Sequence, residues 1–215
     1  MRETTSKEKV LKRIRKALIH QTPPKHQVMD LEGAIYHKID ADLAIHFADK
    51  LVAINGQFAF CENMLDFAEN LITLVQNHGA EEIFCFEPKI QALLDQIEFP
   101  YQKDKNRLDK IEIGITSCEA LVALTGSVMV SSAQKMGRTM TVYPPIHIVV
   151  GYMDQLVPDL KAGFELIKSR HEGRLPSLVS NITGPSRTAD IENTLVLGAH
   201  GPKEFYVFLV EEASA

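Results

Sequence analysis

Within eleven residues, Ile182-Thr183-Gly184-Pro185-Ser186-Arg187-Thr188-Ala189-Asp190-Ile191-Glu192 brings together hydroxyls, a fixed cation, two carboxylates and a glycine. Gly198-Ala199-His200-Gly201-Pro202 follows six residues later. Ser186 or Thr188 can cap a short helix whose N–H groups receive an anion, with Arg187 as the counter-charge. Asp190 and His200 are the groups able to take a proton from a bound hydroxyl. The plainer alternative is that Asp190 and Glu192 stabilise a helix N-terminus and Arg187 pairs with one of them.

Two further polar segments interrupt apolar runs. Leu124-Thr125-Gly126-Ser127 places hydroxyls beside a glycine, a pattern that can aim backbone N–H groups at an anion or simply turn the chain. Ser131 to Arg138, followed by Tyr143-Pro144-Pro145-Ile146-His147, offers Lys135 and Arg138 to a carboxylate or phosphate, or forms a solvated hairpin tip. His147 falls inside an apolar strand pattern and reads as a core histidine. No spacing among His147, His200, Asp190 and Glu192 specifies a metal, and none is expected.

The elements that would position these segments follow an α/β pattern. Residues 42–54 read as a helix ended by Asn55-Gly56, and Gln57 to Cys61 as a short strand. Met64, Phe67, Ala68, Leu71, Leu74 and Val75 form a helical stripe stopped at Gly79. A buried-type strand at 83–86 and a helix carrying Ile90, Leu93, Leu94 and Ile97 come next. This alternation predicts a three-layer, mainly parallel sheet with helices on both faces and ligands at the carboxyl ends of its strands. Strand-like runs at 111–115, 121–131, 139–143, 146–152, 194–197 and 205–210, with one helix over 156–171, fill the second half. Several of their connections are too short for a crossover helix, so antiparallel pairs are expected to extend the sheet.

The chain has 215 residues, 45% hydrophobic and 24% charged, which suits one domain with an arm and excludes wholesale disorder. Residues 1–20 carry seven Lys/Arg against two acids, or +5, leaving −10 for the rest of a chain of net charge −5. Thr5-x-x-Glu8 predicts a capping box, and Val10, Leu11, Ile14, Ala17 and Leu18 lie at helical spacing. Residues 1–30 are thus expected to be a basic amphipathic arm and a Pro23-Pro24 linker, and residues 31–215 the domain. Such an arm suits an acidic protein surface; a nucleic-acid partner is not expected. No apolar run approaches a membrane span and no secretory signal is seen, so the cytoplasm is the expected location. Cys61, Cys85 and Cys118 form no Cys-x-x-Cys pair, so no iron–sulfur cluster is expected in this chain.

Residues Ile182–Glu192 with Asn193–Pro202 resemble the signature of the LUD (lactate utilisation) domain family. Ala123-Leu124-Thr125-Gly126-Ser127 is similar to that family's Ala-x-Thr-Gly-Ser/Thr turn, and Gly137-Arg138, Pro144-Pro145-x-His147-Ile148 and Gln155–Leu160 agree in order. The resemblance covers about residues 40–212. It implies a fold similar to the superfamily of ribose-5-phosphate isomerase, glucosamine-6-phosphate deaminase and CoA-transferases (NagB/RpiA/CoA-transferase-like). It also implies a cluster-free subunit of a system oxidising L-lactate to pyruvate, with iron–sulfur subunits as partners. The cofactor stays unknown. A small carboxylate or other anion would then meet Thr125, Gly126, Ser127, Arg138, Gly184, Ser186, Arg187, Thr188 and Glu192, with Asp190 and His200 handling the proton. Many members carry an acid immediately before the Thr-Gly, where this chain has Leu124. A free-standing enzyme on a phosphorylated or CoA-linked acid, and a non-catalytic assembly protein, are the alternatives.

Overall fold

A computed structural model describes residues 5–19, 39, 41–188 and 196–211 of the chain. They belong to two compact units, 1–38 and 39–215. In the first, α1 (Ser6–Ile19) opens with the capping box: the Thr5 N–H donates to the Glu8 carboxylate at 2.9 Å and the Glu8 N–H to the Thr5 hydroxyl at 3.4 Å. Two N–H groups that the helix cannot satisfy internally are thereby paired. The expected Pro23-Pro24 linker and the expected boundary at residue 30 lie outside the described residues.

The second unit begins α2 (Leu43–Ala53), β1 (Gln57–Cys61), α3 (Met64–His78), β2 (Ile83–Cys85), α4 (Pro88–Gln96) and β3 (Ile113–Ser117). It continues with β4 (Ala120–Val122), β5 (Ser127–Ser131), α5 (Gly137–Met140), β6 (Ile146–Tyr152), β7 (Leu156–Val157) and α6 (Leu160–Arg170). It ends with β8 (Val179–Ile182), β9 (Arg187–Thr188), β10 (Val196–Leu197) and β11 (Glu204–Val210).

Five strands form a wholly parallel sheet in the order β1-β11-β6-β3-β2. Its inner strands β3, β6 and β11 are largely buried on both faces. On one face, α3 and α4 lay Phe67, Leu71, Leu74, Ile90 and Leu94 against Ile113, Ile115, Ile148, Val150 and Phe208. Each such side chain stabilises the fold by about 1.5–3 kcal/mol relative to exposure. Asn63 caps α3 by accepting from Leu65 and Asp66 N–H, and Gly79 ends it in the left-handed conformation at φ +60°.

The opposite face differs from the sequence-based expectation. Antiparallel pairs do not extend the parallel sheet; β7-β4-β5-β8 make a separate four-stranded sheet that shares this face with α2. Phe47 and Leu51 of α2 and Leu121, Val128 and Val130 of the second sheet pack with Val149, Phe205, Val207 and Leu209. Ala120, Val122 and Met129 look the other way, toward α6 and its Ile167. β4 and β5 are thus apolar on both sides, which an edge extension of the first sheet would have left wet.

Two element boundaries also move. The run 139–143 is not a strand: Met136 takes a left-handed φ of +62° and opens the one-turn helix α5. The helix expected from 156 starts at Leu160, where Asp159 caps it through the Ala162 N–H, and Leu156–Val157 pair with β4 instead. Leu156 and Val157 precede Pro158, and the residue before a proline is pushed from helical to extended backbone.

Candidate functional site

The two glycine turns singled out above meet the same helix. At Gly126, φ +62°, an added Cβ would sit 2.3 Å from the Leu51 nitrogen. At Gly184, φ +81°, it would sit 2.6 Å from the Ile54 carbonyl oxygen. The Arg187 guanidinium donates to that same Ile54 carbonyl. Thr125 and Ser127 hydrogen-bond one another through their hydroxyls, with Ser127 fully buried. Thr125, Gly126, Ser127, Gly184 and Arg187 therefore converge, with the last turn of α2 between them rather than an open cleft. Arg187 puts its charge where the helix leaves carbonyl oxygens unpaired and its dipole is negative.

The open cleft lies beyond, in the second part of the dense segment. β9 pairs antiparallel with β10, Thr188 opposite Val196 and Arg187 opposite Leu197. The Ser186 N–H donates to the Pro202 carbonyl at 2.8 Å and the Gly198 N–H to the Ser186 carbonyl at 2.9 Å. This closed ribbon carries residues 198–203 against 142–145, where the Lys203 and Glu204 N–H groups both donate to the Pro145 carbonyl, at 2.7 and 3.1 Å. Between them is a cavity of about 400 Å³ to which Tyr143, Pro145, His200 and Lys203 contribute.

Gly198 (φ +73°) is required there by space as well as by backbone, because a Cβ would stand 2.1 Å from Lys203 Cγ. Lys203 makes no ion pair among the described residues. The cavity sits at the amino ends of β6 and β11, whereas the sheet type predicts ligands at the carboxyl ends. Arg138 is exposed on α5 and is not among the residues lining it. Thr188 lies in β9; Asp190 and Glu192 are outside the described residues.

His147 is fully buried in β6, opposite Gly114 and Phe205, with Nε2 2.9 Å from the Thr116 hydroxyl and Nδ1 unpartnered. Burial pushes its pKa down to about 3, so the ring stays neutral in the core. Among the described residues no group of three or more His, Cys, Asp or Glu is placed to hold a metal ion.

At the carboxyl ends of β2 and β3 the structure shows a buried polar network that no motif announces. Glu87, 7% exposed, follows β2 and accepts the Ser117 N–H at 3.0 Å as well as the Ser117 hydroxyl. The Gln134 amide donates to Ser117 Oγ at 2.8 Å and accepts the Ser131 N–H at 2.8 Å, and the Ser131 hydroxyl donates to Glu119. Burial raises the Glu87 carboxyl pKa, against the pull of Ser117's donors. The one sequence signal for it is position: Glu87 and Ser117 each stand where a parallel strand ends.

The model of the LUD domain matches residues 47–210. The chain belongs to the LUD domain family. Lactate utilization protein C of Bacillus licheniformis is 33% identical over 108 residues, covering 49% of this chain and 45% of that protein. The protein of the same name from Bacillus subtilis is 32% identical over 120 residues, 54% of this chain and 50% of the relative. An uncharacterized protein of Neisseria meningitidis serogroup B is 32% identical over 100 residues, 46% of this chain and 42% of that one. This LUD chain thus spans about half the length of the curated relatives it matches. A crystal structure of a DUF162 family protein from Deinococcus radiodurans aligns with TM-score 0.57 at 18% identity, over 78% of this chain and 96% of that one. That likeness shows a shared α/β fold for the LUD domain. No helix among its described residues is long and apolar enough to cross a membrane.

Proposed function

We propose that this LUD chain is the cluster-free subunit of a cytoplasmic lactate-utilisation system and holds a small carboxylate in the cleft at the amino ends of β6 and β11. The observation that carries the reading is the meeting of Lys203 and His200 in one cavity of about 400 Å³, with Gly198 leaving room for the Lys203 stem. Lys203 is a compact cation for the carboxylate, and His200, within the same cavity, is the group suited to take the hydroxyl proton. Thr125, Gly126, Ser127, Gly184 and Arg187 serve the cleft indirectly by fixing α2 and the β9–β10 ribbon. The relatives named for lactate utilisation supply the substrate class. Oxidising a 2-hydroxy acid to a 2-oxo acid releases two electrons, and the three cysteines here are buried free thiols. Partner subunits carrying iron–sulfur centres would take those electrons.

Calorimetric titration of the chain with L-lactate and with pyruvate tests this. Removing a charge-assisted contact costs about 1.5–3 kcal/mol, so Lys203→Ala should weaken binding roughly ten- to a hundredfold. Unchanged affinity in Lys203→Ala refutes the cleft. Co-purification from the native host without any iron-bearing protein refutes the partner assignment.

A further inference from the structure

The network at the carboxyl ends of β2 and β3 has an outer end that the cleft above does not use. His171 caps the C-terminus of α6 and sets Nε2 3.1 Å from Glu119 Oε1. Glu119 is 6% exposed and is fixed from two sides: the Ser131 hydroxyl donates to its carboxylate, and the Arg170 guanidinium donates to its backbone carbonyl at 2.9 Å. Arg170 in turn reaches Asp154 at 3.1 Å. A buried carboxylate accepting from Nε2 selects the tautomer in which Nδ1 carries the basic lone pair. A histidine held by a buried acid is the arrangement of a positioned proton acceptor.

This histidine borders a cavity of its own, of about 200 Å³, together with Ser132 and Arg174. At about 30 Å³ per water-sized group in the liquid, it has room for roughly seven such groups, the scale of a three- or four-carbon acid. Arg174 follows His171 in a tight turn, its N–H donating to the His171 carbonyl at 2.9 Å, and it makes no ion pair among the described residues. The Ser132 hydroxyl is already engaged, 2.9 Å from Ser177 Oγ and accepting the Leu178 N–H, so it forms a polar wall.

We propose that His171, Glu119 and Arg174 form a second ligand site, separate from the His200 cleft, for a short-chain carboxylate that bears a hydroxyl. The Arg174 guanidinium takes the carboxylate through its fork of donors, and the ligand hydroxyl donates to His171 Nδ1. Glu119 is the positioning residue behind the ring.

The test titrates the full chain carrying Lys203→Ala with L-lactate and with acetate, which has the carboxylate and no hydroxyl, using calorimetry and the histidine ring NMR signals. L-lactate is expected to bind at least tenfold more tightly than acetate and to shift the His171 signals. Arg174→Ala, an exposed substitution, should weaken both probes tenfold or more without changing the melting temperature. His171→Gln should abolish only the preference for L-lactate. The proposal is overturned if Arg174→Ala leaves both affinities unchanged, if the preference survives His171→Gln, or if Lys203→Ala alone removes all binding. In the last case the His200 cleft stands as the one site. If Lys203→Ala changes nothing while Arg174→Ala abolishes binding, this site stands and the cleft reading falls.

Discussion

Arg187 donates its guanidinium to the carbonyl of Ile54, 133 residues earlier, and so closes the C-terminus of α2 with a cation. The turn after α2 already occupies the Leu51 and Val52 carbonyls, through the Ile54, Asn55 and Gly56 N–H groups. Arg187→Ala is therefore expected to lower stability by about 1 kcal/mol in chemical denaturation, with Arg187→Lys restoring part of it. Full stability with a lost ligand affinity would return Arg187 to the ligand.

Gly126 and Gly79 both hold left-handed backbone, and the surroundings separate them. Gly79→Ala meets nothing within 4 Å and should cost only the conformational term, about 1 kcal/mol. Gly126→Ala drives a methyl into the α2 backbone and should cost at least about 3 kcal/mol, because neither the helix nor the β4–β5 turn can yield. Equal melting temperatures for the two variants would contradict the packing of that turn on α2.

His78 ends α3 with Nδ1 2.9 Å from the Leu74 carbonyl and Nε2 3.1 Å from Glu204. The Leu74 carbonyl is the main reason its pKa is raised; partial burial works against that, and the Glu204 carboxylate adds to it. A raised folded value makes its stabilisation complete below the ordinary histidine range and lost as pH climbs through the raised value. The pair is partly exposed, and solvent screening limits the expected effect to a few tenths of a kcal/mol. His78→Gln should flatten that decline between pH 6 and 8; an unchanged profile would assign it elsewhere.

All three cysteines are buried, and burial raises their thiol pKa values, Cys61 to about 11 and Cys85 to about 12, with Cys118 also raised. Thiolate is the reactive form, so the native chain should react negligibly with a disulfide reagent at pH 7.5 and yield three equivalents after denaturation. Rapid modification of even one thiol in the native state would show an opening not seen here.

Elements with one strong local determinant were legible in advance. The β1 and β6 spans, the Gly79 stop of α3 and the Thr5–Glu8 cap follow from apolar runs and single residues whose conformational preferences leave little choice. Residues 139–143 misled because Thr139, Thr141 and Val142 favour extended backbone, yet the left-handed Met136 starts a one-turn helix that runs to Met140 and is capped by Thr141. The separate second sheet was hidden because hydrophobic alternation reports how a strand is buried and not which sheet buries it. The described parts of the dense polar segment, 182–188 and 196–202, pack against other chain segments. Its pattern could not reveal that the end of α2 takes up Arg187. Nor could it reveal Glu87, Ser117, Glu119, Ser131 and Gln134 as one network, since they come from separate segments and meet only in three dimensions.

Among the described residues β11 is the last strand; it lies between β1 and β6, and β1 has no other neighbour in the sheet. Every earlier strand is therefore synthesised before the one that joins β1 to the rest. During synthesis β1 must wait with an unpaired edge for about 140 residues of further chain, roughly 7–28 s at about 5–20 residues per second. Stalling translation before residue 204 should therefore leave a protease-sensitive intermediate even though most of its secondary structure has already been made.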